Sequence, residues 1–162
     1  YHLYRNNNDK NLKKFKELAE ELGFILSTTY ALVMPFERVI NKLEGKPDQQ
    51  TSQLEENLLV GIEEGIEISS LNIEEKSSCP FRENQVNINA DLSVPVCCIV
   101  FNKSQNIVSN NFLDSSLSEI SNNKKDISTC KKCMNLRLPE YNMGYNKHLW
   151  KERAQSKKSL DI

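Results

Sequence analysis

Five cysteines, all between residues 79 and 133, are the residues of this 162-residue chain best suited to chemistry: Cys79, the adjacent Cys97 and Cys98, and the knuckle Cys130-Lys131-Lys132-Cys133. A Cys-x-x-Cys knuckle lets two sulfurs bind one metal, and it is shared by zinc sites, redox dithiols and iron–sulfur sites. Cys79, and a cysteine 17 intervening residues later, supply a third and fourth thiolate. Four thiolates spread in this way point to a soft metal centre. Structural zinc usually takes compact paired knuckles, whereas Cys79 sits between Ser78 and Pro80 with no partner two residues away. The longer, looser set suits a cube of iron and sulfide better than one tetrahedral ion, so the expectation is an iron–sulfur cluster, with zinc as the rival and free thiols third. A thioredoxin-type role is disfavoured because no strand leads directly into a helix starting at Cys130.

Cys97 and Cys98 cannot both be ligands from one regular strand, since neighbouring side chains point to opposite faces. Cys98 shares the parity of Val94, Val96 and Val100, which reads as a small buried hydrophobe. Cys97 shares the parity of Pro95, Ile99 and Phe101. Parity alone leaves the ligand open between them. His2 and His148 are the only histidines and read as surface or helix-face residues. No Ser/His/Asp set, paired-carboxylate site or phosphate-binding loop stands out.

Lys and Arg number 21 against 22 Asp and Glu, a net charge of −1, which argues against nucleic acid as the main partner because such domains usually carry a basic excess. The hydrophobic share of 38% and mean hydropathy of −0.56 allow a small core. The longest apolar runs, 31–35 and 94–101, are far too short for a membrane span. No basic region followed by an apolar run opens the chain, so no signal peptide is read. Five cysteines cannot all pair, and the expected state is reduced thiols in the cytoplasm. The Asn-rich opening, without Met, reads as a fragment lacking its N-terminal portion.

The elements that must position the thiols follow in order. Residues 1–5 read as the end of a strand, and Asn8 or Asp9 as the cap of a helix with Leu12, Phe15, Leu18, Ala19 and Leu22 on one face. Gly23 sits where a left-handed C-cap belongs. Residues 24–30 read as a strand, and Pro35 as the first residue of a helix with Phe36, Val39, Ile40 and Leu43 inward and Gly45 at its end. Strand, helix, strand, helix is the rhythm of a β/α layered or barrel fold. Residues 46–52 read as a linker. Ser52-Gln53-Leu54-Glu55 fits a capping box opening a helix that carries Leu54, Leu58, Leu59, Ile62 and Ile66, with Gly61 and Gly65 inside it through bending or close packing. Residues 85–90 and 93–101 read as a hairpin, Ser116-Leu117-Ser118-Glu119 as a second capping box, and 122–126 as a loop leading to Cys130. Tyr141, Tyr145, Leu149 and Trp150 recur at helical spacing, and 151–158 is expected to fray.

Cys79-Pro80, then Val86 through Cys98 with Asn87, Asn89, Asp91, Val94 and Pro95, then Asn106-Ile107, Leu117-Ser118-Glu119-Ile120 and the 130–133 knuckle resemble the SPASM/Twitch domain of radical S-adenosylmethionine enzymes. The resemblance covers about residues 75–145. The family pattern puts the ligand three residues after the hairpin valine, here Val94, and so selects Cys97. The resemblance implies one auxiliary [4Fe–4S] cluster on Cys79, Cys97, Cys130 and Cys133, as in the shorter Twitch form, with Cys98 a bystander. The chain departs from the pattern at Leu92, where the family commonly has Gly. It also lacks the Cys-x3-Cys-x2-Cys motif that would let it cleave S-adenosylmethionine by itself. The expected fold class is α+β: trailing β/α units of a partial (β/α)6 barrel over 1–50, a connecting helix at 51–74, a SPASM/Twitch-like iron–sulfur domain (a β-hairpin plus short helices around the four-cysteine site) at 75–145 and a helical or frayed tail at 146–162. The implied partners are an N-terminal radical S-adenosylmethionine barrel and a substrate that could be a peptide, a sugar or a small metabolite, with S-adenosylmethionine bound only by the full-length enzyme. The competing expectation is a non-enzymatic, zinc-stabilised interaction module with the Tyr141, Tyr145 and Trp150 stripe as its partner surface.

Overall fold

A β-α-β unit opens the chain: β1 (His2–Leu3) pairs in parallel with β2 (Thr29–Tyr30), and α1 (Asp9–Glu21) makes the crossover. The structure is a computed structural model and describes residues 1–5, 9–73 and 78–160. The expected cap of α1 falls on Asn8 and the Asp9 side chain, outside the described residues. Gly23 takes φ +69°, the left-handed turn its position predicts. The run 24–30 is not one strand. Only Thr29 and Tyr30 pair, while Phe24 and Ile25 are 70% and 96% exposed. The apolar face of α1, with Phe15, Leu18 and Leu22, is also exposed rather than buried. A strand propensity expresses itself only against a neighbour, and β1 reaches only the end of this segment.

α2 (Phe36–Leu43) buries Phe36, Val39 and Ile40, with Pro35 as its N-cap rather than its first residue. α3 (Gln49–Glu56) begins before the expected capping box because the Asp48 carboxylate accepts the Thr51 N–H at 2.6 Å. The single helix expected from residue 52 is two. α3 ends at Asn57, and α4 (Ile62–Ser70) restarts at the cap Gly61. Glu55 accounts for the break: its carboxylate accepts the Ile62 N–H at 3.0 Å and pairs with Lys42, turning the chain back on α2. Between the two helices Leu58, Leu59 and Val60 are buried.

Gly65 is explained by close packing. A Cβ there would lie 2.6 Å from Tyr141 Cε2 and 2.7 Å from Trp150 Cη2. These rings belong to one apolar core that draws on residues from Ala31 to Ala154. Trp150 stacks on Tyr30 at 5.5 Å, Tyr141 lies 5.8 Å from Trp150 and 6.0 Å from Phe36, and Trp150 Nε1 donates to Ser69 Oγ at 3.0 Å. Tyr141 and Trp150 are therefore core and not a surface stripe. They reach it from α9 (Leu138–Met143) and α10 (Lys147–Leu160), separated at Gly144 with φ +60°. The charged tail does not fray: α10 runs to Leu160, with Arg153 and Lys157 both on the Glu64 carboxylate at 2.9 and 2.7 Å.

The central third carries α5 (Pro80–Glu83), β3 (Val94–Pro95), α6 (Lys103–Asn106) and β4 (Ile107–Ser109). The expected hairpin is corrected here. Its turn forms, with the Asn89 N–H on Ser93 O at 2.9 Å and Leu92 in the left-handed region at φ +65°. Beyond the turn, however, β3 pairs antiparallel with β4, and the Val96 N–H goes to Asn106 O at 2.8 Å. α7 (Leu117–Asp126) starts on the predicted Ser116/Glu119 capping box and continues through the expected loop at 122–126. α8 (Ser128–Asn135) follows at once. The fold is thus α+β, with helices and, among the described residues, two small two-stranded sheets. Among the described residues no helix is long and apolar enough to cross a membrane.

Candidate metal centre

Three elements bring four thiols to one cavity. Cys79 is the N-cap of α5, where Pro80 fits the first helical position because that position needs no N–H donor. Cys130 and Cys133 lie three apart on α8 and so share a face. Cys97 comes from the segment between β3 and α6. All four line a cavity of about 30 Å³ walled by Val96, Ile99, Val100, Met134 and Pro139. Cys98 is not in its wall. Cys98 is exposed, which overturns its reading as a buried hydrophobe: Val94, Val96 and Val100 are buried as alternation predicts, but β3 ends at Pro95 and the alternation lapses before residue 98.

Ion pairs and backbone bonds pin the segment carrying Cys97. Glu37 Oε1 accepts the N–H groups of Phe101 and Asn102 at 2.8 Å each and Asn106 Nδ2 at 3.0 Å. The Phe36 N–H bonds Ile99 O at 2.9 Å, and Lys132 bonds Glu44 at 2.6 Å, so α2 grips the Cys97 segment and α8 together. On the other side, Lys124 of α7 is 1% exposed and its ammonium donates to Phe81 O at 3.2 Å and to Gln85 O, closing the C-terminal end of the helix that Cys79 begins.

Three of the thiols, Cys97, Cys130 and Cys133, are held protonated by their burial. Burial pushes Cys97 up to about 11, with the nearby Cys98, Cys79 and Cys130 adding to it and a bond from the Ile99 N–H opposing. Burial raises Cys133 far above the thiol range, reinforced by Cys79, Cys97 and Cys130. Burial also raises Cys130, partly countered by the Arg82 guanidinium. Such thiols give up their protons when a metal takes their place, since metal binding and thiol ionisation are one linked equilibrium. Two cations lie close to the thiols. Arg82 lines the cavity, and its buried Nε has no hydrogen-bond partner among the described residues. Burial lowers Lys124, partly countered by the nearby cysteines.

Among the described residues no three His, Cys, Asp or Glu side chains are close enough to ligate a single metal ion. The thiols ring a cavity and do not converge on a point. The donor set fits an iron–sulfur cluster in type and number, and the unpartnered Arg82 N–H fits a sulfur acceptor. The cavity itself has room for about two waters, so its walls must part to admit a cluster. Sequence reasoning placed the four thiols but missed Arg82, Lys124 and Glu37. Arg82 lies three residues beyond Cys79, a spacing that could have drawn attention to it. Lys124 and Glu37 carry no signal in the sequence, being one Lys and one Glu among many. His2 and His148 are exposed and stand outside the site. Comparison of the chain with family models, with curated proteins and with solved structures gave no match.

Proposed function

We propose that this chain is the auxiliary-cluster portion of a radical S-adenosylmethionine enzyme, with Cys79, Cys97, Cys130 and Cys133 as ligands of one [4Fe–4S] cluster. The observation that carries the reading is the meeting of these four thiols at one apolar cavity, with the fifth left outside. The cluster, when bound, supplies one-electron transfer. The chain's own residues ligate it, keep water from it and balance its charge. Cys97 and Cys133 lie in an apolar wall, Arg82 offers an N–H, and Lys124 fixes α5. Four protein ligands leave no iron open for substrate, so this part of the enzyme exchanges electrons or shapes the substrate site and does not bind substrate to iron.

The β1-α1-β2 unit supports the barrel half of the reading. Parallel strands seldom stand as an isolated pair, and Phe15, Leu18, Leu22, Phe24 and Ile25 offer the apolar surface that further β/α units would cover. The catalytic Cys-x3-Cys-x2-Cys motif belongs to that partner barrel.

Anaerobic reconstitution with iron and sulfide tests the proposal. The expected product holds about four irons and four sulfides per chain, Cys97→Ala abolishes it and Cys98→Ala retains it. One bound zinc without sulfide overturns the cluster. Loss of metal in Cys98→Ala but not in Cys97→Ala overturns the ligand set.

A further inference from the structure

The first arm of the expected hairpin is left without a partner. β3 pairs with β4 instead, and no main-chain N–H or C=O of Val86, Asn87 or Ile88 enters a hydrogen bond among the described residues. The arm nonetheless keeps the two-residue period of a strand: Val86, Ile88 and Ala90 are exposed, and Asn87 and Asn89 are half-buried. A groove of about 590 Å³ runs beside it, lined by Val86, Asn87 and Ile88 and, from the other arm, by Pro95, Cys98 and Phe101. That volume lies within the roughly 300–1,000 Å³ of ligand sites. Its apolar wall is open to an occupant, since Val86, Ile88 and Phe101 are 39%, 46% and 61% exposed.

The chemistry of the wall selects the occupant. Whatever covers Val86 and Ile88 also strips water from the main-chain groups between them, and those groups must then be bonded anew. A sugar, a lipid or a flat ring lacks a repeating donor and acceptor at strand spacing. Another strand has both, which is the basis of recognition by strand addition. Asn87 is a second sign, independent of the first: its Nδ2 is shut off from water and has no hydrogen-bond partner among the described residues. A carbonyl is the acceptor that relieves such a donor. We propose that this groove binds an extended peptide, which adds as a strand to 86–88, sets alternate apolar side chains on Val86, Ile88 and Phe101 and brings a carbonyl to Asn87. The inference goes beyond the cluster reading and does not depend on it.

A dye-labelled pentapeptide of sequence SVTVS, its C-terminus amidated, is titrated with the reduced full chain and followed by fluorescence polarisation. Two further peptides carry N-methyl groups on one or the other set of alternate residues, because successive N–H groups of a strand point to opposite edges. Expected are saturable binding of the parent peptide and unchanged binding of one methylated peptide. The other methylated peptide is expected to bind about tenfold more weakly, a difference of about 1.4 kcal/mol. Ile88→Ser and Phe101→Ser each weaken binding of the parent peptide about tenfold, whereas Leu113→Ser, at an exposed apolar residue outside the groove, has no effect. No saturable binding, an equal response of the two methylated peptides, or an equal loss in Leu113→Ser each overturns the proposal. So does a chain that sediments as a dimer and becomes monomeric in Ile88→Ser, because the groove then holds a second copy of the chain.

Discussion

Lys124→Met removes an ammonium that is 1% exposed and whose partners are the carbonyls at the end of α5. Nζ stands 3.2 Å from Phe81 O and 3.5 Å from Arg82 O, with Gln85 O closer, so two of the three are good hydrogen bonds. A hydrogen bond to a charged group is worth roughly 1.5–3 kcal/mol net. Methionine keeps most of the side-chain volume, so little cavity cost is added, and the variant is also relieved of burying a charge. The balance is a loss of about 2–4 kcal/mol, or roughly 5–15 °C in Tm for a chain of this size. Urea unfolding followed through Trp150 emission, in chelator so that metal binding adds nothing to stability, measures it. The exposed neighbour is the control: Lys125→Met is expected to stay within about 0.5 kcal/mol of the parent chain. A Lys124→Met protein as stable as the Lys125→Met protein refutes the reasoning, since Lys124 would then be a buried passenger and not the tie that holds the Cys79 helix.

Two further outcomes follow from burial and packing. In metal-free protein at neutral pH, Cys98 is expected to react with iodoacetamide first, and Cys97 and Cys133 much more slowly, because only the thiolate attacks and burial holds their pKa values up. The Cys97 rate is to keep rising as pH increases toward about 11, and mass mapping of the labelled peptides that finds Cys97 ahead of Cys98 contradicts the assignment. Gly65→Ala gains about 1 kcal/mol of helix propensity yet places a methyl 2.6 Å from Tyr141 Cε2. Overpacking of about 1–3 kcal/mol is expected to prevail, and a higher melting temperature for the variant is the result that rules this out.

Much of the local structure was legible because its causes are local. Ser116 and Glu119 cap a helix wherever they meet, Gly23 and Gly45 turn left-handed because they carry no Cβ, and Gly65 announces a close approach. Three readings failed where another residue outbid the expected one. Asp48 took the cap expected of Ser52, Glu55 broke one helix into two, and the 106–109 segment took the pairing expected of 86–88. Parity failed at Cys98 for a related reason: alternation holds only while a strand is paired, and β3 stops at Pro95.

The sequence by itself determined the chemistry on offer. Five thiols, two of them in a knuckle, are a covalent fact that no folding alters. Tertiary structure decided that the thiols ring a cavity instead of meeting at a point, that Cys98 lies outside its wall, and that Arg82 lines the cavity while the buried Lys124 ties the Cys79 helix. Those outcomes rest on α5, the 96–100 segment, α8 and the start of α9 closing around one space. The energy of a buried cation or thiol depends on every wall of that space, and no stretch of chain carries more than one of them.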